Sequence, residues 1–180
     1  MTTRLSFKND DFICNLECRR CIHIKEDGRR CKNRVCIGSP RCWVHNKQTY
    51  GVKTRASTIE NGGKGLFATK DFNRGDMICP YNSEKLSREC LEERYPGNTD
   101  APYAITSGRT ILDGACNRGI GAMVNTNDNT NGQFIYHDNN IWLVATENIR
   151  KGDEIFADYG HFDLSEHKTY RSSRKDNRPC

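Results

Sequence analysis

IRKGDEIFADYG, residues 149–160, reads as a basic turn closed by Gly152, a short strand over Glu154–Phe156 and an aromatic stop at Tyr159-Gly160. The residues before it share that texture. From Ser57 onward, short β segments alternate with glycine turns. The predicted strands are Ser57–Ile59, Gly65–Ala68, Asp76–Pro80, Tyr103–Ser107, Thr110–Leu112, Phe134–His137 and Ile141–Ala145, with turns at Asn61–Gly63 and Asn73–Gly75. One helix is predicted, Glu84–Tyr95, ended by Pro96-Gly97. Many short strands with one helix predict a compact, mostly β domain. No nucleotide phosphate loop stands out, and Gly63-Lys64-Gly65 taken alone is a plain turn.

At 180 residues the chain has room for one catalytic-sized domain and a small module. No apolar run approaches the ~20 residues of a membrane span, and MTTRLSFKNDDF at the start lacks the apolar core of a secretion signal. The expectation is a protein of a reducing intracellular compartment, nucleus or cytoplasm, with no membrane partner. The net charge of +5 hides an uneven distribution. Residues 1–56 carry 13 Lys/Arg against 5 Asp/Glu, whereas residues 57–160 carry 10 against 15. An acidic middle favours a basic partner and a basic arm an anionic one such as nucleic acid, although either patch can be a solvated face.

Six of the ten cysteines (Cys14, Cys18, Cys21, Cys31, Cys36 and Cys42) precede position 45. Clustered cysteines with nearby histidines point to metal rather than to a disulfide framework. Zinc takes four thiolate or imidazole ligands. Cys42 and His45, three apart, suit a one-turn knuckle, and Cys31 and Cys36 supply the other pair, with Gly38 and Pro40 turning the chain between. So polar a segment would draw most of its folding energy from the metal. The spacing resembles small zinc motifs of large DNA viruses, which would place the protein in an infected host cell. Cys21 and Cys36 compete to be the fourth ligand, and a second zinc on Cys14, Cys18, Cys21 and His23 stays open.

Four landmarks occur in order: GKGLFA (63–68), Tyr81-Asn82-Ser83, NTNDNTN (125–131) and GDEIFADYG (152–160). Together they resemble the SET domain of protein lysine methyltransferases, over about 105 residues from Ala56 to Gly160. The resemblance implies a SET-type fold of short strands in small sheets with a knot-like C-terminal threading, preceded by the zinc-stabilised module. The domains expected are 1–52 (zinc module), 53–160 (SET) and 161–180 (basic tail without a post-SET cysteine cluster). Two residues depart from the family pattern: Ala122 stands for the usual arginine and Thr126 for the usual histidine.

What the resemblance implies for the site is specific. S-adenosylmethionine would lie against Gly63, Lys64, Gly65 and Leu66 and be gripped by Asn125 and Thr126. Tyr159 would sit beside the transferring methyl and orient the lysine nitrogen. Tyr81 would be a second channel hydroxyl, Tyr103 and Phe162 would be wall residues, and Tyr170 is an alternative closing ring. Ala157, two before the terminal tyrosine, is small and would leave room for more than one methyl. Asn131 would shape its loop, and Asn127 and Asn129 are read as local turn formers. Tyr81 and Tyr103 can equally be packing residues with satisfied hydroxyls.

The expected activity is methyl transfer from S-adenosylmethionine to a lysine ε-amine of a protein, in a basic context such as a histone tail. The alternative is an inactive SET-like protein that binds chromatin or nucleic acid through its zinc module, which the residues at 122 and 126 keep open. Oligomeric state is not readable.

Overall fold

The computed structural model describes residues 3–9, 12–36, 38–96, 101, 103–107 and 110–159. Phe162, Tyr170 and the rest of the tail lie outside them. The described chain is mostly β: four three-stranded antiparallel sheets and two α-helices. No described helix is long and apolar enough to cross a membrane.

The amino-terminal module opens with a hairpin, β1 (Thr3–Asn9) against β2 (Phe12–Arg20), extended by the short β3 (Arg34–Val35). Helix α1 (Trp43–Tyr50) follows, with Cys42 at its N-cap and Gly51 ending it in the left-handed region. A helix here was not predicted. Its sequence, WVHNKQTY, has no amphipathic period, and its buried residues are His45 and Asn46.

Strand β4 (Val52–Ala56) starts the next sheet directly after that helix, one segment earlier than the predicted strand at Ser57–Ile59. The latter is a turn instead, because the Ser57 hydroxyl accepts from the Ile59 N–H and donates elsewhere. β5 (Lys64–Ala68) lies between β4 and β12 (Glu154–Ile155), so Gly65 to Ala68 are all buried. A second sheet runs β10 (Gly132–His137), β11 (Asn140–Ala145), β6 (Met77–Pro80). Its hairpin turns on Asp138 and Asn139, both at positive φ (48° and 60°), the two-residue turn that matches strand twist. A third sheet runs β7 (Glu84–Leu86), β9 (Thr110–Asp113), β8 (Ala104–Ser107). Helix α2 covers only Arg88–Arg94. The predicted helix began at Glu84, but residues 84–86 pair with β9, and the Ser87 hydroxyl caps the helix by accepting from the Cys90 N–H at 3.2 Å.

The larger core joins the first two of these sheets: Val52, Leu66, Ile78, Ile120, Val124, Leu143, Ile149 and Ile155 are each at most 2 % exposed. Each such aliphatic side chain contributes about 1.5–3 kcal/mol on burial. A second cluster gathers Tyr81, Ile105, Leu112, Ala122 and Ile141, and Phe134 packs against both. Ala122 is buried, and a Cβ on Gly114 would come within 3.2 Å of its own Cβ.

One connection departs from simple sheet stacking. The peptide unit joining Phe156 to Ala157 is held from both sides by a single loop. The Ala157 N–H donates to the Asn125 carbonyl at 2.9 Å, while the Phe156 carbonyl, pointing the opposite way, accepts from Asn131 and Gly132 N–H at 3.1 and 2.9 Å. The side chain of Asn131 closes the clasp, accepting from the Phe156 N–H and donating to the Glu154 carbonyl. Residues 154–157 thus run between the two arms of loop 125–132, which is the knot-like threading.

Candidate functional site: a cofactor cradle, an aromatic corner and a metal cluster

The threading brings the two most informative motifs together. Ala157 N–H to Asn125 carbonyl sets the first contact, and the Tyr159 hydroxyl donates to the Val124 carbonyl, one residue before Asn125. The Asn125 side chain turns the other way, toward the glycine segment. Its Nδ2 donates to the carbonyls of Gly62 and Lys64 at 3.4 and 3.3 Å and to Glu154 Oε1 at 3.3 Å. Segments more than 60 residues apart therefore meet at one amide.

The glycines beside that amide make a cradle. Gly63 lies at φ +63°, a left-handed conformation, with nothing within 4 Å of where a Cβ would stand. A Cβ on Gly65 would fall 1.8 Å from Glu154 Oε1. Gly65 is thus required for close packing below, and Gly63 leaves open space above. Lys64 and Thr126 are exposed beside it, and Leu66 is buried beneath it in the core. An open backbone surface next to a half-buried carboxamide suits the amino-acid portion of S-adenosylmethionine, so these residues fit that cofactor.

The aromatic corner adjoins this cradle. Tyr159 stacks on Phe134 (6.3 Å between ring centroids, 13° interplanar), and Phe134 meets Tyr81 edge-on at 5.5 Å. The Tyr81 hydroxyl donates to the Tyr103 carbonyl at 2.7 Å, and the Tyr103 ring carries the Arg118 guanidinium 3.8 Å above its centroid. Burial pushes the Tyr159 phenol up to about 12; the nearby Tyr103 adds to the rise and Arg118 opposes it. Burial also holds the Tyr81 phenol well above its ordinary value, helped by Tyr159. Both are therefore neutral hydroxyls at pH 7, polar atoms on otherwise apolar walls. Tyr103 is 37 % exposed and forms the outer edge. Ala157 lies fully buried below, bridged to Gly132.

Two residues of this region escaped sequence reading. Phe134 has only a strand alternation to mark it, yet it joins both cores and both tyrosines. Glu154 reads as one more acid of an acidic strand, but it is 6 % exposed and its carboxylate accepts from Ser57 Oγ, Thr58 Oγ1, the Thr58 N–H and Asn125 Nδ2. Burial works against its ionisation, but those bonds prevail, Thr58 foremost, and keep its pKa below the usual glutamate value.

In the amino-terminal module, Cys21, Cys31, Cys42 and His45 place one ligand atom each within 4.8 Å of one another, all buried. Three thiols and an imidazole at that separation fit a tetrahedral zinc. Backbone and amide donors surround the sulfurs: Cys42 N–H to Cys21 Sγ at 3.3 Å, Asn33 N–H to Cys31 Sγ and Asn33 Nδ2 to Cys42 Sγ at 3.4 Å each. Such bonds stabilise thiolates and fix their direction. Burial resists ionisation of Cys42, but the Asn33 amide and the His45 N–H outweigh it and lower its pKa.

Cys36 stands outside this group. It is disulfide-bonded to Cys18, so the fourth position falls to Cys21. The second metal set of Cys14, Cys18, Cys21 and His23 is not assembled, because Cys18 is in that disulfide and Cys21 belongs to the four-residue cluster. The Cys14 side chain lies outside the described residues. His23 stacks on the His45 ring at 3.7 Å without joining the cluster. Cys90 and Cys116 are also disulfide-bonded, so the cysteines serve two purposes where metal alone was expected.

The SET domain family matches residues 63–160, more than half of the chain. The chain belongs to the SET domain family. It is 29% identical over 115 residues to N-lysine methyltransferase KMT5A-A of Danio rerio, covering 57% of this chain and 33% of that protein. Among solved structures, an active polycomb repressive complex 2 in the stimulated state aligns with TM-score 0.50 and 26% identity over 61% of this chain and 15% of that one. A polycomb repressive complex 2 (ctPRC2) solved in an autoinhibited conformation bound to S-adenosylmethionine shares the fold, with TM-score 0.53 and 21% identity over 81% and 23%. The chain thus spans a third of the zebrafish relative and less than a quarter of either complex chain.

Proposed function

We propose that this protein transfers a methyl group from S-adenosylmethionine to the ε-amine of a lysine in a protein substrate. The observation that carries the reading is the meeting of the Tyr159–Phe134–Tyr81 corner with the Asn125–Gly63 cradle, neutral aromatic walls on which a lysine slot is proposed beside the cofactor surface. When bound, the cofactor supplies an electrophilic methyl on a sulfonium. Gly63 to Leu66 and Asn125 hold it, with Thr126 at the rim. The chain's remaining work concerns the lysine. A free lysine has a pKa of about 10.4 and is cationic at pH 7. The rings of Phe134, Tyr81 and Tyr159 remove water and so disfavour the ammonium. The Arg118 guanidinium, fixed on Tyr103, adds a like charge near the slot. Tyr159 and Tyr81, both protonated, offer oxygen lone pairs that orient the amine for in-line attack, which supplies much of the acceleration without a covalent step. The departing proton goes to water, since no described base faces the slot.

The acidic middle of the chain supports a substrate lysine in basic surroundings, and a histone tail is the proposed class. The zebrafish relative, named as an N-lysine methyltransferase, supports the same reading. The four-ligand cluster would hold one zinc and stabilise the module. Ala157 supports products beyond monomethyl-lysine. A basic peptide array with labelled cofactor tests the proposal: wild type labels lysine peptides, with di- or trimethyl products by mass spectrometry. Cofactor binding with no methylation of any peptide or lysate protein would instead favour the inactive, chromatin-binding alternative.

A further inference from the structure

Glu154 is a buried carboxylate that needs explaining. Among the described residues no lysine or arginine pairs with it, and burying a carboxylate without a cation costs several kcal/mol unless hydrogen bonds replace the lost water. Four neutral donors do so: Ser57 Oγ at 2.7 Å and Asn125 Nδ2 at 3.3 Å on Oε1, Thr58 N–H and Thr58 Oγ1 at 2.6 Å each on Oε2. Two of them, the Thr58 N–H on Oε2 and Asn125 Nδ2 on Oε1, can only donate, so each carboxylate oxygen faces a group that only an acceptor satisfies.

The consequence falls on Asn125. An amide can turn over and exchange its oxygen and nitrogen. Here one edge of the amide faces three oxygens, those of Gly62, Lys64 and Glu154, so only the nitrogen can occupy it. Oδ1 is therefore directed away from them, on a half-buried side chain. The Gly62 carbonyl lies just before β5 and the Lys64 carbonyl at its first residue, while the carboxylate is anchored in β12 and by the Ser57–Thr58 turn. It is the charged member of the three.

We infer that Glu154 is a positioning residue for the cofactor, holding the Asn125 carboxamide with its oxygen outward to accept from the ammonium of the amino-acid portion. This inference rests on the proposed methyltransferase reading. Glu154→Gln is the informative change, because it keeps size and removes charge while adding an NH2. With one oxygen still accepting from Thr58, that NH2 faces Asn125 Nδ2 donor to donor, so the Asn125 amide loses its anionic acceptor and is pushed out of the orientation that directs its oxygen outward.

The test uses the full chain, calorimetric titration with S-adenosylmethionine and with S-adenosylhomocysteine, and melting curves without ligand. Both ligands share the amino-acid portion, so Glu154→Gln is expected to weaken both in parallel by about tenfold. Because Glu154 acts through Asn125, adding Glu154→Gln to Asn125→Ala should change affinity by less than about twofold. Unchanged binding by Glu154→Gln, additive losses in the double variant, or a loss confined to the sulfonium ligand would each overturn the inference while leaving the methyltransferase reading intact. Should Glu154→Gln fail to fold, Glu154→Asp keeps the charge but withdraws it by one methylene; it must show the same parallel, non-additive weakening, and wild-type affinity or additivity overturns the inference. A wild type that binds neither ligand removes both readings together.

Discussion

Tyr159 spends its hydroxyl on the Val124 carbonyl and its ring on Phe134, so one side chain connects the cofactor cradle to the aromatic corner. Tyr159→Phe keeps the stacking and loses the orienting oxygen. The expected result is a fall in kcat of about a hundredfold or more, with cofactor affinity nearly unchanged, read by single-turnover methylation beside calorimetry. The pH profile follows from the same group. Its phenol keeps its proton until about 12, so its ionisation cannot depress the alkaline limb. Methylation should therefore rise with pH from 7 to beyond 9 as the substrate amine loses its proton, without a Tyr159-dependent decline; a bell centred near 8 would contradict this. For Glu154 the sign is opposite. Its folded-state pKa is lowered, so the stability it gives is complete above the ordinary glutamate pKa and disappears as pH falls through the lowered value. The melting temperature of wild type should drop more on acidification below the ordinary carboxylate range than that of Glu154→Gln. The meeting of Tyr159 with the loop at Asn125 was legible because contiguous motifs mark both. Glu154 and Phe134 were not, since what makes them matter lies on segments far away in sequence.

Helix α2 and the third sheet are joined by buried charge. Asp113, fully buried on β9, accepts from Arg94 at 2.6 Å, from the Tyr95 hydroxyl at 3.2 Å and from the Ala115 N–H, while Arg94 also reaches Glu84 on β7 at 2.9 Å. Removing one member leaves the others dehydrated and mispaired. Asp113→Ala should cost about 3–5 kcal/mol in urea unfolding, against about 1 kcal/mol for loss of the Ser87 cap in Ser87→Ala. The element-level errors of sequence reading have the same origin. EKLSRECLEERY carries uniform helix propensity, and nothing within it says that its first three residues will pair with β9. The turn at Ser57–Ile59 likewise looks like a strand until Glu154 is present to take its hydroxyls. In the amino-terminal module, spacing could not choose between Cys21 and Cys36, because the choice depends on which sulfur the β2–β3 pairing turns toward Cys18.

At the scale of the molecule, a Cys/His cluster that could hold a metal precedes a region built from separate small sheets. With so little apolar burial beyond the cysteines themselves, residues 21–45 should lose order when metal is stripped. Purified protein should contain one zinc. Cys31→Ser should lose it, and Cys36→Ser, which removes only the disulfide, should keep it; two zincs in wild type or loss in Cys36→Ser would refute the assignment. The architecture as a whole was legible from landmark order, whereas the partition of cysteines between thiolate cluster and disulfide was not.

The clasp around residues 154–157 also sets a timetable. During synthesis the glycine segment and the asparagine loop leave the ribosome well before the strand that locks them, and Ser57 waits 97 positions for its carboxylate partner. Contacts so distant along the chain form late and slowly. A nascent chain stalled ahead of Glu154 would have neither a lock for the amide nor a floor for the slot, and should be blind to the methyl donor until translation passes Tyr159.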